Sequence, residues 1–220
     1  MNNVYTVILA RLGSTRLPGK MVKEICGIPL IEFLFKRSKK LKSWPNIILA
    51  TSDKKKDDKL EELAIRSGIE VFRGSEDDVA GRFASSVHHK DCDWIHRLNG
   101  DNVFFDFEKI NEAISMTKTI DEQIISNVNE NHVPGFSVEI LKKDFYFRAY
   151  KLMSIEEKEH VTNYFYKSRK NNIFWLSNRE NISPLALDTD NDYRKIKTLT
   201  NDPHNFSYET PVSNILEALK

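Results

Sequence analysis

The sequence predicts an α/β protein built on a doubly wound, mostly parallel sheet. Three observations carry that expectation. Apolar runs suited to strands alternate with segments of 3–4 apolar spacing suited to helices, and short polar loops separate them. The first run, residues 4–10, is apolar enough to be buried on both faces, as parallel strands are. A length of 220 residues suits one α/β domain with a small appendage.

Each element follows from local signals. Strand 4–10 runs into the loop 11–27. Pro29 fits a first helical turn, and Leu30, Phe33, Leu34, Arg37 and Leu41 continue a helix with one buried face. Asn46–Thr51 is a second strand, ending in the polar tip Thr51-Ser52-Asp53. Asp57 opens a helix with Leu60, Leu63 and Ala64 inward, and Gly68 is its expected C-cap. The charge run Asp53–Lys59 reads as a solvated helix start. Ile69–Phe72 is a third strand that opens into Arg73–Asp78, and Val79, Phe83 and Val87 mark the next helix. Trp94–Leu98 is a fourth strand and runs into Asn99-Gly100-Asp101-Asn102. Helix 108–117 and strand 123–128 follow.

The rhythm breaks over 129–153, with a strand or ribbon over Gly135–Leu141 and an aromatic helix over Lys143–Met153. Ser154 and Glu157 form a capping box for a helix predicted to run through Lys170. Ile173–Leu176 and Pro184–Leu187 read as short strands, and helices over 190–200 and 211–220 finish the chain. There are no repeats and no low-complexity linker.

Composition narrows the function classes. Hydrophobic residues make up 40% and charged residues 30%, which reads as globular. Lys plus Arg is 33 against 32 for Asp plus Glu, a net charge of +1. No global field favours nucleic acid or membrane, so any anion site must be local. Cys26 and Cys92 support neither a disulfide framework nor a zinc ribbon. The run after Asn2 and Asn3 is too short for a signal peptide, and no stretch approaches the ~20 apolar residues of a membrane span. A cytoplasmic protein is expected.

Four loops leave the carboxyl ends of predicted strands: 11–20, 73–78, 99–102 and 188–192. In open α/β sheets those ends face the ligand crevice. The first loop carries Gly13, Gly19, the hydroxyls of Ser14 and Thr15, and the cations Arg11, Arg16 and Lys20. Backbone N–H groups and fixed positive charge at a strand end hold polyphosphates. Asp101 and Asp188 supply carboxylates on later loops. This division suits a nucleoside triphosphate with a divalent cation such as Mg²⁺, held by the two aspartates.

Several motifs are excluded. Five residues separate Gly13 from Gly19 and Met21 follows Lys20, which is not a Walker A loop. No GxGxxG follows the first strand and no HExxH occurs. His88-His89 reads as surface. Phe145, Tyr146, Phe147 and Tyr150 read as core or subunit interface, since no basic excess accompanies them. Other roles stay open for some candidates. Asp101 could be a cap, Asp190 and Asp192 compete with Asp188, Arg82 could pair with Asp78, and Glu139 could pair with His160.

Ala10-Arg11-Leu-Gly-Ser-Thr-Arg16-Leu-Pro-Gly-Lys20 resembles the signature loop of cytidylyltransferases that activate acidic sugars. These are the CMP-3-deoxy-manno-octulosonate and CMP-sialate synthetases, and the likeness is closest to the spore-coat polysaccharide branch. Further shared phrases are Ala50-Thr51-Ser52-Asp53, Val71–Val79 with Gly81-Arg82, Asn99-Gly100-Asp101-Asn102, Gly135-Phe136 with Val138-Glu139, Glu159-His160-Val161-Thr162 and Asp188-Thr189. The likeness spans about residues 4–190.

The resemblance implies a nucleotidyltransferase-type, Rossmann-like fold over 1–220. It also implies a small dimerisation or acceptor subdomain at 129–175, and a homodimer. The implied reaction is Mg²⁺-dependent transfer of CMP from CTP to a sugar acid or similar acceptor, releasing pyrophosphate, for surface polysaccharide or glycan synthesis. Arg11, Lys20 and Asp101 would be catalytic, and Asp101 with Asp188 would hold the metal. Leu9, Ala10, Arg11, Gly13, Ser14, Arg16, Lys20, Ser52, Ser75, Asn99 and Gly100 would bind the nucleotide. Arg73, Asp78, Arg82, Arg97, Asn102, Glu139 and His160 would face the acceptor.

Two departures from the branch pattern bear on the acceptor. Val103-Phe104-Phe105 stands where Pro usually follows Gly-Asp-Asn, and Asp190-Asn191-Asp192 replaces a Glu-Asp pair. A phosphate acceptor giving a nucleoside-diphosphate product, and a non-catalytic nucleotide-binding role, are the alternatives.

Overall fold

The computed structural model describes residues 3–167, 172–179, 182–200 and 206–218. β1 (Val4–Leu9) leads through the first loop to a small ribbon of β2 (Glu24–Ile25) and β3 (Ile28–Pro29). The chain then alternates: α1 (Leu30–Ser38), β4 (Ile47–Ser52), α2 (Asp58–Arg66), β5 (Glu70–Gly74), α3 (Val79–Ser86), β6 (Trp94–Asn99) and α4 (Phe107–Met116). β7 (Ile124–Ser126), β8 (Glu139–Lys142), α5 (Lys143–Tyr150), α6 (Ile155–Glu159), α7 (Asn163–Tyr166) and β9 (Ile173–Trp175) follow. α8 (Asp190–Leu199) and α9 (Val212–Glu217) close the described chain.

Seven strands form one sheet in the order β5-β4-β1-β6-β8-β7-β9. β5, β4, β1 and β6 run parallel, β8 is antiparallel to both β6 and β7, and β7 is parallel to β9. The α/β expectation holds, with one reversed strand in an otherwise parallel sheet.

β1 is buried on both faces because its neighbours along the chain face opposite layers. Ile8 joins a core with Phe33 and Leu34 of α1 and Ile110 of α4. Val7 joins a second core with Ala80 and Phe83 of α3 and Tyr146 of α5. Phe83 and Tyr146 stack edge to face at 4.9 Å. Each large apolar side chain buried this way contributes about 1.5–3 kcal/mol. The aromatic helix is therefore core-facing at Tyr146, and His88 and His89 are exposed just beyond α3.

Three expectations need correcting. The helix predicted from Ser154 stops at Glu159, because Val161 takes φ +60° and Thr162 N donates to His160 O at 2.6 Å. That closes a γ-turn, a strained conformation for a β-branched residue. The predicted helix end at Lys170 lies outside the described residues. Pro184–Leu187 joins no strand ladder; Leu185 N donates to Pro134 O and Leu187 N to Asp101 O, so two separate loops receive it. The charge run at 53–59 is not wholly solvated, since Asp57 is fully buried.

Candidate active site

Strand order turns at β1: β4 and β5 lie on one side, and β6 on the other. Open α/β sheets hold ligands at such a point. A cavity of about 410 Å³ opens there, lined by Leu9, Ala10, Arg11, Gly13, Ser14, Thr15, Arg16, Lys20 and Met21 from the first strand and loop. Val79, Arg82, Arg97, Asn99, Gly100, Asp101, Glu159, His160, Val161 and Asp188 complete its wall.

Backbone contacts fix the first loop. Asp57 Oδ1 accepts from Leu12 N at 2.7 Å, while Ser52 Oγ donates to Asp57 Oδ2. The strand tip of β4 thus anchors the loop through a buried carboxylate. Gly100 N donates to Leu9 O at 2.9 Å. A Cβ on Gly100 would lie 3.0 Å from both Ala10 Cβ and Met21 Cε, and 3.1 Å from Leu9 O. Glycine there lets the β6 loop close onto the end of β1.

The three cations of the loop meet carboxylates. Arg11 Nη1 lies 3.1 Å from Glu76 Oε1, and Arg16 Nη2 lies 3.2 Å from Asp188 Oδ1. Lys20 Nζ donates to Leu187 O at 2.9 Å and to Asp188 Oδ1 at 3.3 Å, and lies 3.8 Å from Asp101 Oδ2. Asp101 Oδ1 is buried and has no hydrogen-bond partner. Burial pushes the Asp101 carboxyl up; Lys20 pulls it down and Asp188 pushes it up again. An orphaned carboxylate oxygen beside a second carboxylate is a donor set suited to a hard divalent cation. Mg²⁺ typically takes one or two carboxylates and completes its shell with phosphate oxygens and water. No group of three or more acidic, His or Cys ligands exists among the described residues. The rival carboxylates on the last loop are engaged elsewhere: Asp192 caps α8 through Thr189, and Asp190 pairs with Arg194 at 2.8 Å.

On the opposite wall, Arg97 Nη1 donates to Glu139 Oε2 and, at 3.0 Å, to Thr162 Oγ1. Tyr166 OH donates to Glu139 Oε1 at 2.7 Å and contacts Ser126 Oγ at 2.8 Å. Burial would raise the Glu139 carboxyl, but Arg97 and hydrogen bonds from Thr162 and Tyr166 overcome this and hold it below the usual range. Tyr146 OH donates to Val161 O at 3.1 Å. Arg82 Nη1 donates to Ser75 O, and its buried Nε has no partner.

Six sequence candidates do not line the cavity. Ser52 bonds Asp57, and Ser75 Oγ accepts from Asp77 N and Asp78 N. Arg73 bonds Ser52 O, Asp58 and Glu61. Asp78 caps α3 through Gly81 N and accepts from Tyr150 OH at 2.6 Å, so it does not pair with Arg82. Asn102 is buried beneath its turn. Glu139 stands behind Arg97 and does not pair with His160, which is exposed on the rim.

The family model for cytidylyltransferases matches residues 5–209. The chain belongs to the cytidylyltransferase family. It is a nucleotidyltransferase enzyme, and its sheet is that of the fold. It is 32% identical over 210 residues to the spore coat polysaccharide biosynthesis protein SpsF of Bacillus subtilis, covering 90% of this chain and 87% of that one. It is 33% identical over 135 residues to the 3-deoxy-manno-octulosonate cytidylyltransferase of Francisella philomiragia, covering 59% of this chain and 52% of that one. Among solved structures, a cytidylyltransferase from Leptospira borgpetersenii superposes with a TM-score of 0.92 at 26% identity, covering 100% of this chain and 94% of that chain.

Sequence reasoning missed several residues in and around this cavity. Asp57 was hidden in a charge run, and only its burial reveals the anchor. Glu76 sits in a polar loop where nothing local sets it apart from Asp77. Glu159 and Val161 reach the cavity because the γ-turn breaks a helix that composition favours. Met21 and Val79 had no polar signal.

Proposed function

We propose that this cytidylyltransferase transfers CMP from CTP to a hydroxyl of a carboxylate-bearing, sugar-like acceptor, in the presence of Mg²⁺, with release of pyrophosphate. The observation that carries the reading is the orphaned Asp101 oxygen beside Lys20 and Asp188, at the end of a cationic loop. Asp101 and Asp188 would hold the metal, which would neutralise triphosphate charge. Arg11, Arg16 and Lys20 would take phosphate oxygens, because such transfer depends mainly on positioning and charge neutralisation. Lys20 offsets charge developing on the leaving pyrophosphate. The Leu9–Ala10 backbone, with Gly13, Ser14, Asn99 and Gly100, lines the space for the nucleoside.

The acceptor class follows from charge accounting on the cavity wall. Arg11, Arg16, Lys20 and Arg97 each face a carboxylate, whereas Arg82 contacts only carbonyl oxygens. Arg73 is engaged by Asp58 and Glu61. One uncommitted guanidinium matches a singly charged carboxylate better than a phosphate dianion. The likeness to a spore coat polysaccharide protein supports a role in surface glycan synthesis. Exposed Leu152, Ile155 and Trp175 support a homodimer through the 129–175 segment, which a mass measurement in solution tests.

Pyrophosphate release should be measured with each of four NTPs, with Mg²⁺ or EDTA, against panels of sugar acids and sugar phosphates. Release with CTP, Mg²⁺ and a sugar acid is expected. Release only with sugar phosphates would replace the acceptor class, and release unaffected by EDTA would remove the metal.

A further inference from the structure

We propose that Glu76 is a resident counter-anion of the triphosphate site, and that Lys56 is a further triphosphate-binding cation which Glu76 holds beside the loop. This rests on the first loop being the triphosphate site. One carboxylate oxygen, Glu76 Oε1, takes both Arg11 Nη1 at 3.1 Å and Lys56 Nζ at 2.5 Å. Both Glu76 and Lys56 lie directly on the loop backbone. A Cβ on Gly13 would come within 2.9 Å of Glu76 Oε1 and 2.8 Å of Lys56 Nζ. The Glu76 segment is itself tethered, since Arg82 Nη1 donates to the carbonyls of Ser75 and Glu76.

Two cations therefore share one carboxylate, and Arg82 lies behind them on the main chain of the same segment. Without that carboxylate the two would repel one another, an effect that water partly screens because both side chains remain substantially exposed. Arg11 already lowers the Arg82 guanidinium, second to burial. A triphosphate reverses the sign of the problem. It brings several negative charges to the same cations, and the fixed Glu76 charge then opposes it. Glu76 thus stabilises the ligand-free loop and weakens polyanion binding, a coupling between two anions that share their partners.

The test is calorimetric binding of CTP and, separately, of inorganic tripolyphosphate to the full chain. Glu76→Gln is expected to bind both about five- to tenfold more tightly, with a lower Tm when ligand-free. Glu76→Asp, which keeps the charge, is expected to stay near wild type. Lys56→Gln is expected to weaken both by about three- to tenfold. Weaker or unchanged binding by Glu76→Gln would overturn the counter-anion role. Unchanged binding by Lys56→Gln would remove Lys56 from the site. If the wild-type chain binds neither probe, the reading of the loop fails instead. Should Glu76→Gln not fold, tighter binding by Lys56→Gln than by wild type would overturn the proposal alone.

Discussion

The two walls of the cavity are held by different kinds of bond. On the wall made by the first loop and the turn after β6, main-chain N–H groups do the holding: Gly100 N donates to Leu9 O, and Leu12 N to the buried Asp57 carboxylate. On the opposite wall, side chains do it, through the chain Thr162–Arg97–Glu139–Tyr166–Ser126. The sheet itself records the change. Along one cross-strand row Ile48 and Val7 are apolar, Arg97 follows, and Ser126 pairs with Glu139 on the reversed strand. The first wall tolerates few residue types where main chains meet, as at Gly100. A wall built from a buried ion pair can be re-aimed by exchanging side chains, and it depends on their protonation.

The largest break should come at the junction of the two walls. Asp101→Asn is expected to cut turnover at least ~100-fold while the thermal melt and far-UV CD stay close to wild type. A near-normal rate would take Asp101 out of the proposed metal site. Next is Glu139→Gln, which leaves the half-buried Arg97 without the buried carboxylate that neutralises it. Breaking such a pair costs about 3–5 kcal/mol, so a clear drop in Tm is expected, with acceptor KM rising more than CTP KM. An equal rise in both KM values would mean that the two walls are not separable.

The same pair sets a pH dependence. Glu139 is held below the usual glutamate range, so its contribution is full above the unfolded pKa of about 4.3 and is lost as pH falls through the lower folded value. Denaturant melts between pH 6 and 3 should show that loss in wild type and a smaller one in Glu139→Gln. Gly100→Ala sharpens the contrast from the other side. Its added methyl meets three neighbours, and overpacking of this kind costs about 1–3 kcal/mol. CTP KM should rise while acceptor KM changes less. The smallest effect is expected at Val161→Gly, where relief of strain offsets lost burial. Tm should move little, and acceptor kcat/KM should fall as the γ-turn loosens.

What could be read from the sequence follows the same division. That the first loop and Asp101 would meet at one cavity was legible because parallel strands deliver such loops to one edge by rule. Asp188 was legible as a residue but not in its setting: the expected strand before it is a segment hung on Pro134 O and Asp101 O. The opposite wall was not legible in detail. Arg73, Asp78 and Arg97 are equally polar in a one-dimensional string. Only the fold shows that Arg73 turns to α2, that Asp78 caps α3, and that Arg97 reaches the cavity with Glu139 behind it. The γ-turn was invisible because Ser154 and Glu157 start a helix correctly, and no residue after them announces its end.

The reversal of β8 has a consequence for how such a chain can diversify. Between parallel strands the chain returns to the far edge through a helix, so the loop that enters the next strand is remote from the cavity. β7 and β8 are instead antiparallel neighbours, and the last residue of one faces the first of the other. Residues 127–138 are therefore a hairpin connection that opens at the same edge as the cavity. Its stem is clamped by ladders on both sides of β8. Insertions or deletions at its tip would alter what approaches the Arg97 wall of the cavity without shifting the register beneath it.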